Sequence, residues 1–291
     1  MAPAFTYLIC ATQRSGSTLL CELLKQTGVA GRPEEYFEAQ FETGVPPHPR
    51  RFLEGLPITG AGVRANVSPP DAPEYSSLYG ITSYREHLDR TFALGTTDNG
   101  VFGAKLMFNQ LPELTALAGT LPEYAGLGTI AVLRTLFGDP PLIWVSRGDK
   151  VRQAVSMWKA LQSRSWRGER ADSDPRGSGD RPPRGGAIYS YEGIDHLVKR
   201  FEADDLGWND FFAVNELEPL RIDYEDLARD RAGTVKAVLS LVGQSLPEGW
   251  TAPEPIRRQG DATSDQWVAA YYRDRAERGR QDAAGVDAGA A

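Results

Sequence analysis

Residues 12–18 combine hydroxyls, a glycine and an arginine in an order that suits the binding of a phosphate or sulfate. They are Thr12, Gln13, Arg14, Ser15, Gly16, Ser17 and Thr18. An apolar run precedes them, and leucines at helical spacing follow as far as Gly28. A loop between a strand and a helix directs backbone N–H groups and the positive end of the helix dipole at one point. The segment therefore predicts an anion site, with an ordinary serine-capped turn as the plainer alternative.

The loop differs from a nucleoside-triphosphate loop in one respect. Ser17 occupies the position before Thr18 where GxxxxGK[ST] has a lysine, and the loop contains no other lysine. That lysine normally binds the β- and γ-phosphates, so its absence disfavours metal-dependent triphosphate chemistry and favours a smaller anion such as a phosphosulfate. A small-molecule kinase remains the alternative.

A second group of polar residues follows a later apolar run. Arg147 ends this run, and a helix predicted to begin near Asp149 carries Gln153 and Ser156. A guanidinium fork and a hydroxyl two helical turns further on can bind one phosphate. The alternative is a surface arginine and a solvated serine.

Lys105 is a charged residue within the apolar run 101–108. A lysine is rarely buried without a partner. It either faces the anion site or extends along the sheet edge to reach solvent.

Together these segments resemble the PAPS-dependent sulfotransferases, and within them the bacterial trehalose 2-sulfotransferase family. The resemblance extends through nearly the whole chain and is weak in residues 55–80, in 167–186 and at the C-terminus. The segments that carry it are 12–20, 27–31, 33–37, 103–110, 153–156, 258–259 and 264–267.

The resemblance implies roles for individual residues. The phosphosulfate would be bound by the loop residues Gln13, Arg14, Ser15, Gly16, Ser17 and Thr18. The 3′-phosphate would be bound by Arg147 and Ser156, and Arg258 would close over the nucleotide, with Arg257 as its alternative. Glu35 would be the general base and Glu34 competes for that role. With Arg14 and Lys105, Glu35 completes the expected catalytic set.

The reaction implied is sulfuryl transfer from PAPS to a hydroxyl of a carbohydrate, trehalose or a similar glycoside, without a metal ion. Sulfation of a glycolipid precursor or a secondary metabolite is the alternative acceptor chemistry. A non-catalytic nucleotide-binding protein would keep Arg147 and Ser156 without needing a base. The family also implies a homodimer.

Bulk composition restricts the partners and the compartment. The formal net charge is −7, which argues against a nucleic-acid partner because such proteins carry a cationic surplus. The two cysteines are too few for a disulfide framework or a zinc cage. With no stretch approaching the ~20 apolar residues of a membrane span, we expect a cytoplasmic protein.

The order of elements predicts a P-loop-like, three-layer α/β/α fold with a central, mostly parallel sheet. Strands are expected at 7–11, 101–108, 141–146 and 219–224, and helices at 83–92, 188–204, 208–214 and 233–242. One domain is expected over 1–279, with an insertion or lid near 38–99, a mobile loop near 167–186 and a disordered tail over 280–291.

Overall fold

The computed structural model of the chain describes residues 3–37, 83–163, 187–253 and 262–289. By their contacts these residues form two units. The first contains 3–37, 83–148 and 203–253, and the second contains 149–163, 187–202 and 262–289. The single domain predicted over 1–279 stays a prediction.

A four-stranded parallel sheet forms the centre of the first unit, with the strand order β2-β1-β3-β4. The strands are β1 (Phe5–Ala11), β2 (Val101–Met107), β3 (Leu142–Ser146) and β4 (Leu220–Asp223). Strands β1, β2 and β3 are almost continuously buried, as expected where helices cover both faces of a parallel sheet. The predicted α/β fold with a parallel sheet is confirmed.

Alternate residues of each strand enter different cores. On one face, Ile9, Ile143 and Ile222 pack with helices α1 (Ser17–Thr27) and α8 (Arg231–Leu241). The opposite face packs against α2 (Tyr84–Gly95), α3 (Leu111–Ala118), α4 (Thr129–Phe137) and the part of α6 (Tyr191–Val214) that belongs to the first unit. Lys105 lies in register with Ile9 and therefore points to the face covered by α1.

The second unit consists of α5 (Lys150–Ser163), residues 191–202 of α6, and α9 (Ala262–Gly289). Its core contains Trp158, Phe201 and Tyr271. The Trp158 indole also donates a 2.8 Å hydrogen bond to the carbonyl of Ile188, so its polar atom is satisfied although the ring is buried. The short helix α7 (Tyr224–Arg229) follows β4 in the first unit.

Several elements differ from the expectations. Helix α6 is continuous where two helices were predicted, because Gly207 is a site of close packing on Phe108 and does not break the helix. Helix α9 extends to Gly289, although a disordered tail was predicted from Arg280; its Ala, Arg, Glu and Gln residues are good helix formers. Helices α3 and α4 were not predicted.

Within the predicted insertion, α2 forms the helix expected near residues 83–92. Residues 38–82 of that insertion and the predicted mobile loop at 167–186 lie outside the described residues. Across the described ranges, no helix combines the length and the apolar character needed to cross a membrane.

Candidate active site

The loop after β1 has the backbone shape of an anion site. Arg14 and Gly16 both have positive φ, 62° and 92°, and α1 begins at Ser17 without a side-chain cap on its N-terminus. Its first N–H groups are therefore not taken by a capping side chain. Two features require a glycine at position 16. Any other residue would be strained at this φ, and its Cβ would overlap the Tyr224 ring.

The Ser15 hydroxyl fits a bound oxyanion. It is fully buried and makes no hydrogen bond to any described residue. Leaving a buried hydroxyl without a partner costs about 1–3 kcal/mol, so such atoms in native sites call for a ligand or an ordered water. An oxygen of a phosphate or sulfate bound by the loop would accept this hydrogen.

Two guanidinium groups lie beside the loop. Arg147 Nη1 donates to the carbonyl oxygen of Arg14 at 3.4 Å, and the Arg147 guanidinium stacks 4.5 Å from the centre of the Tyr224 ring. Burial and the positive charge of Arg147 lower the pKa of Arg14, and Glu35 opposes the change. Two close cations repel each other, so an anion bound near both would be stabilised by both.

Lys105 connects the start of α1 with the predicted base. Its ammonium donates to Thr18 Oγ1 at 3.1 Å and lies 3.4 Å from Glu35 Oε1, and the residue is only 4% exposed. Burial alone would lower the pKa of Lys105, but Glu35 and its other neighbours raise it above the ordinary value, which keeps the ammonium charged. The structure thus turns Lys105 toward the loop and not along the sheet edge to solvent.

Residues 31–35 run along the free edge of β2 and bring Glu35 to this point. The Lys105 N–H donates to the carbonyl of Glu34 at 2.9 Å, and Gly31 lies so close to β2 that a Cβ would be 2.7 Å from Gly103 N. The Glu34 carboxylate turns away and pairs with Lys25 at 2.5 Å. The two competing carboxylates therefore form ion pairs with different lysines, Glu34 with Lys25 and Glu35 with Lys105.

Hydrogen bonds from neighbouring elements hold the beginning of the loop. Thr12 Oγ1 donates to Asp205 at 2.6 Å, and Gln13 donates to Asn109 at 2.7 Å. The Trp208 indole donates to the carbonyl of Ala11 at 2.9 Å. The ends of β1 and β2 and the interior residues Asp205 and Trp208 of α6 thus meet at the same edge of the sheet.

The structure does not test the remaining predicted site residues. Ser156 is half-buried on α5 in the second unit. Arg258 and its alternative Arg257 lie outside the described residues. Their nucleotide contacts stay predictions.

Sequence reasoning missed three residues at the end of β4. Asp223 accepts a hydrogen bond from Ser146 Oγ at 2.6 Å, Tyr224 stacks on Arg147, and Glu225 accepts from the Gly148 N–H at 3.2 Å. The available signal was their position at the C-terminal end of the strand predicted over 219–224, and so at the same sheet edge as the loop 12–18.

Comparison with known proteins gives matches over most of the chain. The model of the Stf0 sulphotransferase family matches residues 6–274. A trehalose 2-sulfotransferase of Mycolicibacterium smegmatis is 38% identical over 92% of this chain and 94% of its own length. One of Mycobacterium tuberculosis is 37% identical over 91% and 93%. A solved sulfotransferase from Alicyclobacillus acidocaldarius is 16% identical, with a TM-score of 0.42 over 94% of this chain and 93% of its own. By the extent of the family match and the identity to the two trehalose 2-sulfotransferases, the chain belongs to the Stf0 sulphotransferase family.

Proposed function

We propose that this sulfotransferase moves a sulfuryl group from PAPS to a hydroxyl of trehalose. The observation that carries the proposal is the buried Lys105 ammonium, which contacts both the anion loop at Thr18 and the carboxylate of Glu35. Lys105 thus lies between the proposed donor site and the proposed general base. The relatives named as trehalose 2-sulfotransferases, at 37–38% identity over more than nine-tenths of the chain, support trehalose as the acceptor.

In this proposal the loop holds the phosphosulfate end of the donor. The N–H groups of residues 16–18, the Ser15 hydroxyl and the Arg14 guanidinium would bind its oxygens, and Gln13 would contribute from the same loop. Arg147 would bind the 3′-phosphate, with Ser156 and Arg258 completing the nucleotide site. The buried Ser15 hydroxyl and the uncapped start of α1 fit such a ligand.

Glu35 is the proposed general base. PAPS supplies a sulfuryl group whose transfer leaves negative charge on the departing phosphate oxygen. Glu35 removes the proton of the attacking hydroxyl, while Arg14, Lys105 and the loop N–H groups stabilise the charge that develops, without a metal ion. Glu34 is the weaker candidate for the base because its carboxylate contacts Lys25, whereas Glu35 contacts the lysine that also binds Thr18 of the loop.

The proposal extends to the state of the protein in the cell. A reducing cytoplasm suits its two cysteines, Cys10 and Cys21, both of which are free and buried. The homodimer implied by the family resemblance is part of the proposal, and light scattering of the purified protein tests it.

Calorimetric titration tests the donor site. Purified wild type and Arg147→Ala are titrated with adenosine 3′,5′-bisphosphate, and in parallel with ATP and Mg²⁺. We expect metal-independent binding of the bisphosphate, weakened at least tenfold in the variant because a charge-assisted pair is lost. A preference of the wild type for Mg-ATP would overturn the sulfotransferase mechanism in favour of a kinase.

A further inference from the structure

The end of β4 contacts the end of β3 through three consecutive residues on each side. Asp223 accepts from Ser146 Oγ at 2.6 Å, the Tyr224 ring lies 4.5 Å from the Arg147 guanidinium, and Glu225 accepts from the Gly148 N–H at 3.2 Å. These contacts fix the backbone on both sides of Arg147 as well as its side chain. None of the roles assigned above uses Asp223, Tyr224 or Glu225.

Tyr224 also contacts the phosphate loop. Its ring occupies the space that a Cβ on Gly16 would need, so the ring lies directly against the loop backbone. One aromatic ring is thus in contact with the loop on one side and with Arg147 on another. Since a ring has no soft torsion beyond χ2, it can fix the separation of two groups more rigidly than an aliphatic side chain.

A guanidinium binds a phosphate best when its planar fork is held in one orientation. An arginine side chain otherwise loses rotamer freedom when it binds, which lowers its affinity for the ligand. Stacking on an aromatic face supplies this orientation in advance and leaves the N–H edge available to the ligand. The hydrogen bonds that Ser146 and Gly148 donate to Asp223 and Glu225 hold the backbone on both sides of Arg147 when a ligand binds.

We propose that Tyr224, supported by Asp223 and Glu225, is a positioning residue that holds Arg147 at a fixed distance from the phosphate loop. The enzyme thereby selects nucleotides that carry a phosphate at the 3′ position as well as one at the 5′ position. This inference rests on the proposed function, in which the loop binds the 5′ group and Arg147 the 3′-phosphate.

The test compares two nucleotides that differ only in the 3′-phosphate. Adenosine 3′,5′-bisphosphate and adenosine 5′-monophosphate are titrated calorimetrically into wild type, Tyr224→Phe and Tyr224→Leu. We expect the wild type to prefer the bisphosphate by about 10- to 100-fold, the range of one charge-assisted interaction. Tyr224→Phe keeps the ring and the preference. Tyr224→Leu lowers the preference about tenfold by weakening bisphosphate binding, while binding of the monophosphate stays within twofold.

A second pair of variants tests the support from α7. Glu225→Ala removes the acceptor for Gly148 at an exposed position, and Asp226→Ala removes the neighbouring exposed carboxylate, which pairs with Arg229. We expect Glu225→Ala to lower the preference by about threefold and Asp226→Ala to leave it unchanged, because Glu225 accepts the hydrogen bond from Gly148 whereas Asp226 pairs with Arg229. If Tyr224→Leu fails to fold in thermal denaturation, this pair decides the question.

Arg147→Ala provides the closing control. In that background Tyr224→Leu should change the preference no further, because a positioning residue acts only through the group that it positions. Equal weakening of both nucleotides by Tyr224→Leu would overturn the inference, since the ring would then serve the nucleoside or the fold. An unchanged preference in that variant would overturn it as well. Failure of the proposed function is visible separately, as a wild type that does not distinguish the two nucleotides.

Discussion

The adjacent carboxylates of Glu34 and Glu35 have different surroundings. Glu34 pairs with Lys25 on α1, whereas Glu35 lies beside Lys105 and the phosphate loop. We predict that Glu35→Gln lowers kcat by about 10²- to 10⁴-fold, the usual contribution of a general base, and leaves binding of adenosine 3′,5′-bisphosphate intact. Steady-state kinetics with trehalose, beside calorimetry, measure both quantities.

Glu34→Gln is the matched control for this substitution. It removes the same charge one residue away and should change kcat by no more than about fivefold, the value of a partly exposed ion pair. The reverse ranking, with Glu34→Gln the more damaging, would move the base to Glu34.

Lys105 and Lys25 form a second matched pair, since each binds a carboxylate of the same segment. Lys105→Met removes the ammonium between Thr18 and Glu35, and we predict a fall in kcat of about 10²-fold, as for loss of one group that stabilises developing charge. Lys25→Met removes only the partner of Glu34 and Glu22, so a loss within about fivefold is expected. Equal losses in initial-rate assays would contradict a catalytic role for Lys105.

At the scale of residues, the sequence indicated which side chains could form the site better than it indicated how they are oriented. The apolar strand around Lys105 left two directions open for its side chain, and the choice depends on the register between β1 and β2, a long-range property. The left-handed backbone of Arg14 could not be predicted either, because only tertiary contacts stabilise a non-glycine residue there. The pairing of Arg147 with Tyr224 joins residues that are distant in the chain.

At the scale of elements, the junction between β1 and α1 depends on Gly16. Gly16→Ala introduces a Cβ that overlaps the Tyr224 ring at a positive φ, so the loop or the ring must move. We predict a loss of stability greater than the roughly 1 kcal/mol of the φ strain alone, because overpacking adds to it. Affinity for adenosine 3′,5′-bisphosphate should also fall at least tenfold, as measured by thermal denaturation and calorimetry.

Gly28→Ala at the other end of α1 is the control. Gly28 also has a positive φ, 70°, but a Cβ there would have no atom within 4 Å. This variant should lose about 1 kcal/mol of stability and keep its nucleotide affinity. Equal effects of the two substitutions would show that the contact between Gly16 and Tyr224 is unimportant.

Helix α2 contains a buried histidine that links its stability to pH. Burial lowers the pKa of His87 from 6.5 to about 4, where it packs between Tyr84 and Phe37. Between pH 6.5 and 4 the unfolded chain therefore takes up a proton here that the folded protein does not. The free energy of unfolding must fall as the pH is lowered through this window, by as much as ~3 kcal/mol from this residue.

Urea denaturation at pH 7 and pH 4.5 measures this linkage. His87→Leu should lower stability at pH 7 and show a smaller loss than the wild type between the two pH values. An identical pH dependence in wild type and variant would mean that His87 titrates normally in the folded protein.

The sequence predicted elements well where burial gives an unmistakable pattern. Strands β1, β2 and β3 are apolar because both faces are covered, and each was predicted to within about two residues. Helix α6 was divided in the prediction because a glycine usually interrupts a helix, whereas Gly207 serves close packing against Phe108. This packing depends on Phe108, which lies about a hundred residues away in the chain, so the residues next to Gly207 in the sequence cannot indicate it.

At the scale of the whole molecule, the proposal places an anionic donor at a local concentration of cations on an acidic protein. The net charge is −7, yet Arg14, Arg147 and Lys105 converge on one sheet edge. Neutralising the donor there would require no overall positive charge, so a composition that argues against a nucleic-acid partner is compatible with a nucleotide ligand.

Both cysteines lie inside the fold, which makes their reactivity a measure of its integrity. Cys10 and Cys21 are each 2% exposed, and burial raises the pKa of both thiols, that of Cys21 to about 12. We predict that a thiol reagent such as DTNB labels neither cysteine of the native enzyme over minutes and labels both in denaturant. Rapid labelling of the native protein would show that the sheet opens readily.

A direct transfer assay tests the central claim. Wild type, Glu34→Gln and Glu35→Gln are incubated with radiolabelled PAPS and trehalose, and the sulfated sugar is separated and counted. The account predicts labelled trehalose sulfate from wild type and Glu34→Gln and a loss of about 10²-fold or more with Glu35→Gln. If trehalose is not sulfated by the wild type, the proposed acceptor is wrong, and if Glu35→Gln is as active as the wild type, so is the proposed base.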